Sequence, residues 1–135
     1  MFNNILKSKR AHVLGNNEKI ICEIVQADEC VSCYYDYGNK VHKNTYENLP
    51  AISASYDIYD QSVVIKDFVV QDNNQDIEKH ILSDFIDYAK AEQVTAIHAV
   101  VSPNENMDRL VELYENIGSA SFVEENGFIN VKITL

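Results

Sequence analysis

The hydrophobic period changes once along this chain, and that change sets what it can fold into. Up to about Val70 the apolar residues come in short β-forming runs: Lys19 to Gln26, Glu29 to Tyr37, Ala51 to Tyr59 and Ser62 to Val70, with weaker alternation over Lys40 to Tyr46. Ala27-Asp28 separates the first two runs as in a hairpin, and Gly38-Asn39, Leu49-Pro50 and Asp60-Gln61 punctuate the rest. From Gln75 to Glu92 the spacing becomes helical, with Ile77, Ile81, Phe85 and Tyr88/Ala89 on one stripe that Leu82 widens. Asn73 or Asn74 suits the cap of that helix, and Asp76 and Glu78 suit the positive end of its dipole. Val94 to Val101 is apolar on both faces except at His98, which predicts a strand covered on two sides and a hydrogen-bonded core histidine. After Ser102-Pro103-Asn104 a second helix carries Met107, Leu110, Val111, Tyr114 and Ile117 on one face and stops at Gly118. Ala120 to Leu135 reads as a hairpin turning at Asn126-Gly127.

The order is therefore several strands, helix, strand, helix, hairpin. A strand, helix, strand unit of this length makes its two strands parallel neighbours through a right-handed crossover, so Ser62 to Val70 and Val94 to Val101 should lie side by side. The fold class predicted is α+β, of the three-layer α/β type: a mixed, mostly antiparallel sheet with a central parallel pair flanked by two helices. At 135 residues without a Pro/Gly/Ser-rich linker, low-complexity tract or repeat, the chain should be one domain. Residues 1–62 form its strand-rich half and residues 63–135 the half with helices.

Charge narrows the function classes. The 21 acids against 11 Lys plus Arg give −10, which argues against broad neutralisation of nucleic-acid phosphates and against anionic membrane surfaces. Residues 1–67 hold 9 acids and 7 bases, and residues 68–135 hold 12 and 4, so the second half carries −8 of the total. Cationic partners are favoured: a small amine, or a basic protein. A second copy of the chain is a further possibility, docking through a tyrosine-rich sheet that holds Tyr34, Tyr35, Tyr37, Tyr46, Tyr56 and Tyr59.

No apolar run is long enough to span a membrane, and Met1 to Arg10 has no apolar stretch behind its basic residues, so no secretory signal is expected there. Three cysteines, an odd number, suit a reducing cytoplasm. Cys30-Val-Ser-Cys33 is a C-x-x-C in a strand-like stretch, without the helix N-terminus a redox pair needs. His12, His42 and His80 share no clustered spacing with acids or cysteines, so no metal site is expected. Walker, Rossmann and Gly-x-Ser-x-Gly patterns are missing.

Over about residues 63–135 the chain resembles the GCN5-related N-acetyltransferase superfamily, the acyl-CoA N-acyltransferase fold. The resemblance rests on a strand ending in Phe68-Val69-Val70, a loop into a long amphipathic helix, a strand ending in Val100-Val101-Ser102-Pro103-Asn104, and a helix bearing Leu113-Tyr114-Glu115-Asn116-Ile117-Gly118. It implies that the first parallel strand splays from the second, and that the freed backbone of Phe68, Val69 and Val70 binds the pantetheine arm of acetyl-CoA or another acyl-CoA. It further implies that Asn73, Asn74 and Ile77 face the pyrophosphate, that Asn104 contacts the cofactor, that Tyr114 is the acid for the leaving thiolate, and that Asp67 is a base or water-binding group.

Two function classes follow. The first is an N-acyltransferase acting on a cationic amine. The second is a non-catalytic relative serving as an interaction module, suggested by the loop Gln71 to Glu78, which holds acids and neither glycine nor arginine. One carboxylate about 5 Å from a phosphate costs roughly 3 kcal/mol at an effective dielectric of about 20, which would weaken cofactor binding. An open cleft between residues 68–70 and 100–102 favours the enzyme; a plugged one favours the module.

Overall fold

The computed structural model describes residues 5–13, 19–27, 29–36, 51–57, 59–69, 75–104 and 107–135. They form the strands β1 (Ile5–Val13), β2 (Lys19–Ala27), β3 (Cys30–Asp36), β4 (Ile52–Asp57), β5 (Ser62–Phe68), β6 (Ala96–Val101), β7 (Ala120–Glu125) and β8 (Phe128–Thr134). Two helices, α1 (Gln75–Ala91) and α2 (Met107–Glu115), follow β5 and β6. One sheet holds every described strand in the order β1-β2-β3-β4-β5-β6-β8-β7. All neighbours are antiparallel except β5 and β6. The α+β class with its central parallel pair is therefore present.

The two crossovers, β5 to β6 and β6 to β7, run in the same direction across the sheet, so right-handed connections lay both helices on one face. Burial follows that geometry. Along one row, Val63 lies beside Ile97 and Ile97 beside Ile133, and all three are buried. The neighbouring row of Val64, His98 and Lys132 is half-buried or exposed. β6 is thus covered on one side: Ile97, Ala99 and Val101 are buried, whereas Val100 is 57% exposed and His98 is half-buried. This corrects the reading of Val94 to Val101 as covered on two sides, since an apolar run alone does not say how many faces are packed.

The helical stripe of α1 supplies most of the core. Ile77, Ile81, Leu82, Phe85, Ile86 and Ala89 are buried, and they rest on β1, β2 and β3, where Ile20, Cys22, Ile24, Val31, Cys33 and Tyr35 face them. Burying each of the isoleucine, leucine, valine and phenylalanine side chains among them contributes about 1.5–3 kcal/mol. Cys30 is exposed and Cys33 buried, as residues three apart on a strand point to opposite faces; they do not form a joint site. Asn126 (φ 54°) and Gly127 (φ 85°) make the β7–β8 turn with both central residues left-handed, as expected for Asn-Gly. β1 is a strand that the apolar runs did not predict, while Lys40 to Tyr46 and Gly38-Asn39 lie outside the described residues. Among the described residues no helix is long and apolar enough to cross a membrane.

Candidate active site

The parallel ladder between β5 and β6 is short. It pairs Ser62 with Ala96, Val63 with Ile97 and Val64 with His98, and stops there, although β5 continues to Phe68 and β6 to Val101. A cause lies on the opposite edge of β5. Ser53 of β4 pairs with Asp67 and Ala54 with Ile65, so Lys66 is an extra residue, a β-bulge, and a bulge bends its strand and increases the local twist. It also resets the alternation of faces. Asp67, beside Ser53, sits on the open face of the sheet, while Phe68, beside buried Ile52, returns to the face covered by the helices.

The divergence opens a cleft of about 240 Å³. Its walls are residues 65–69 of β5 and its extension, residues 99–102 at the end of β6, and Glu78, Asn104, Arg109, Leu110 and Tyr114. Val69 donates its N–H to the Ala51 carbonyl at 2.7 Å, so the alternation of an extended strand directs the Phe68 N–H and carbonyl the other way, toward the cleft.

Tyr114 lines the cleft from α2. It is 2% exposed, and its ring meets that of Phe68 edge-on, with centroids 6.4 Å apart. Burial pushes its hydroxyl well above the ordinary phenol range, which keeps the proton on the oxygen at neutral pH. Such a shift makes the phenol a weaker acid than a solvent-exposed tyrosine. Asp67 approaches the same cleft from the other side of the sheet and is exposed. The Asn104 carbonyl accepts the N–H of Met107 at 3.1 Å, which sets Asn104 at the entry to α2 and at the cleft rim.

Of the residues selected from sequence, the cleft therefore gathers Asp67, Phe68, Val69, Asn104 and Tyr114. Ile77 does not line this cleft: it lies in the first turn of α1 with its side chain fully buried in the core. Val70, Asn73 and Asn74 lie outside the described residues.

Two wall residues carry a role that sequence reading missed. Arg109 of α2 donates from Nη1 to Oε1 of Glu78 in the first turn of α1. The Glu78 side chain is 3% exposed and that of Arg109 22%. Burial raises the Glu78 carboxyl above the usual range, while Arg109 acts in the opposite sense. Glu78 therefore does not present an unopposed charge to the cleft, and the electrostatic cost expected from the acidic loop falls accordingly. One signal was available: Arg109 is the sole arginine after Arg10.

The mixed sheet with one central parallel pair matches the strand, helix, strand order, and the splay that opens a cleft beside Phe68 and Val69 is the feature the resemblance implied. This is an acyl-CoA N-acyltransferase-like fold. No family model matches the chain, and no curated protein matches it in sequence. Among solved structures, the chain is similar to an IAA acetyltransferase from Bacillus cereus ATCC 14579, at 10% identity and a TM-score of 0.48, over 98% of this chain and 100% of that one. It is also similar to nourseothricin acetyltransferase, at 8% identity and a TM-score of 0.49, over 96% of this chain and 85% of that one.

Proposed function

We propose that the protein is an acyl-CoA-dependent N-acyltransferase whose acceptor is a cationic amine. The observation that carries this reading is the open cleft between the diverging β5 and β6, with Tyr114 among the residues that line it. Extended backbone lacking a β6 partner and a slot of this size fit a pantetheine arm, with the Phe68 backbone holding it and Asn104 at the rim, whereas the Val69 N–H expected to share that role is turned away to Ala51. When bound, acyl-CoA supplies an acyl group activated as a thioester.

The chain's own groups divide the proton work. Tyr114 holds a proton at its hydroxyl oxygen on the helix-covered side, where it serves as general acid for a departing thiolate. Asp67 lies across the sheet on the open face, where a carboxylate attracts a cationic amine and accepts its proton, directly or through water. The −10 net charge favours approach of such an acceptor. Arg109, held by Glu78, keeps the cleft wall from being wholly acidic.

The test is thiol release from acetyl-CoA across a panel of polyamines, aminoglycosides and lysine-rich peptides. Acceptor-dependent release that is lost in Tyr114→Phe supports the reading. Release that no amine stimulates, with wild type and variant alike, overturns it.

A further inference from the structure

A second cluster of reactive side chains lies away from the cleft, between the β1–β2 hairpin and α1. His12 comes from β1, Cys22 from β2 and Asp84 from the third turn of α1. The β1–β2 register sets Arg10 beside Cys22 and His12 beside Ile20, so His12 and Cys22 share the helix-facing side of neighbouring strands. His12 Nε2 lies 2.7 Å from Asp84 Oδ2, and one ligand atom from each of His12, Cys22 and Asp84 lies within 4.8 Å of the other two.

We infer that His12, Cys22 and Asp84 form a binding site for a divalent transition metal of the zinc class. The donor set is one imidazole nitrogen, one sulfur and one carboxylate oxygen, a mixture that suits a tetrahedral borderline-soft ion and not magnesium or calcium. Ligands around such an ion sit about 3.3–3.7 Å apart, given bond lengths of about 2.0–2.3 Å. With all three atoms within 4.8 Å of one another, the cluster reaches that spacing by small side-chain shifts, the 2.7 Å His12–Asp84 pair opening slightly. Charge also balances: a dication, a thiolate and a carboxylate sum to zero in a place where an uncompensated charge is costly.

The surroundings are those of a supported site. The side chains of Asp84 and His12 are 4% and 21% exposed, and Cys22 is 1% exposed, so the ligands are ordered by packing, with access from the His12 side. Arg10 Nη1 lies 3.4 Å from Asp84 Oδ1, the oxygen that His12 does not use, and 2.7 Å from Asp87 Oδ2. It would hold the carboxylate with Oδ2 toward the ion. His80, one turn before Asp84, stacks on His12 with ring centroids 4.3 Å apart and fixes the imidazole plane. On binding, the Cys22 S–H bond breaks, its sulfur bonds the metal and the proton passes to solvent. A nucleophilic role for Cys22 fits less well, because at 1% exposure its thiol is closed to a substrate.

The experiment titrates Co²⁺ into the chelator-treated full-length wild-type chain. Saturable one-to-one growth of a thiolate-to-cobalt charge-transfer band with tetrahedral visible bands, both removed by Zn²⁺, is the expected result. Cys22→Ser should abolish the charge-transfer band, Cys30→Ser should leave it intact, and His12→Gln should weaken binding by more than the roughly 10–100-fold that losing an outer partner costs. His12→Gln carries the test if Cys22→Ser fails to fold, since His12 is half-buried at the rim of the core. A wild-type chain that shows no thiolate band at saturating Co²⁺ overturns the assignment. So does a folded Cys22→Ser that keeps the band, or a His12→Gln with unchanged affinity. None of these readouts depends on acyl transfer.

Discussion

The ring of Phe68, two residues past the bulge in β5, meets the ring of Tyr114 in α2 at 75°, with centroids 6.4 Å apart. Without the extra residue at Lys66, the alternation of β5 would turn Phe68 to the open face of the sheet and Asp67 toward the helices. The bulge thus does two things at once. It ends the parallel ladder near Val64 and seats Tyr114 against the strand whose backbone lines the cleft.

The first prediction concerns the Tyr114 hydroxyl. Tyr114→Phe keeps the edge-to-face contact and the apolar burial, so stability should change by less than about 1.5 kcal/mol. With acetyl-CoA and an accepted amine, kcat should fall by about 10²–10⁴-fold with KM little changed. Steady-state kinetics checks this, and a rise in KM at constant kcat would remove Tyr114 from the role of acid.

The cleft itself is tested by filling it. Ser102 is exposed at the mouth, so Ser102→Trp should stay within about 0.5 kcal/mol of wild type in urea unfolding. The indole would occupy the slot between the strands, and acetyl-CoA affinity should drop at least tenfold, measured by calorimetry. Unchanged affinity would place the cofactor elsewhere.

Glu78 and Arg109 form a buried pair, and removing one partner leaves the other charge uncompensated. Arg109→Met should destabilise the fold by about 3–5 kcal/mol, whereas Glu78→Gln, which retains a hydrogen-bond acceptor, should cost much less. The pH dependence has a definite sign. Burial raises the folded-state pKa of Glu78, so its contribution to stability is fully present below the ordinary glutamate range and is lost as pH rises through the raised value. Urea unfolding at several pH values should therefore show wild type losing stability relative to Glu78→Gln as pH rises above the ordinary glutamate range of about 4.3. The opposite trend would mean that Arg109 outweighs burial.

Gln93 follows α1 with φ of 64°, its N–H donating to the Lys90 carbonyl at 3.1 Å and the Val94 N–H to the Ala89 carbonyl at 2.9 Å. This is a left-handed helix stop filled by a side chain that pays a steric penalty there. Gln93→Gly should stabilise the protein by about 0.5–1 kcal/mol, the relief of strain exceeding glycine's larger unfolded entropy. A thermal scan showing a lowered Tm would refute this.

The second half of the chain was the more legible because its signals are local. Helix α1 was expected over Gln75 to Glu92 and spans Gln75–Ala91; Asn126-Gly127 turns where its dipeptide says it should. What escaped the sequence depends on distant partners. β1 carries no continuous apolar run, and its strand state comes from pairing along its length with β2. The bulge is invisible in Ser62 to Val70 because β4 defines it. Glu78 read as a dipole partner in a first turn, and only the packing of α2 against the cleft, 31 residues later, reveals it as half of a buried pair. His12, Cys22 and Asp84 have no ligand spacing in sequence, since a hairpin register and a helix from the other half bring them together.

The central claim, that the cleft between β5 and β6 receives acyl-CoA, is tested most directly by isothermal titration of the full-length chain with acetyl-CoA at modest salt. The account predicts one-to-one binding with a Kd in the micromolar range and a matching rise in Tm. No heat and no thermal shift at millimolar acetyl-CoA would contradict it.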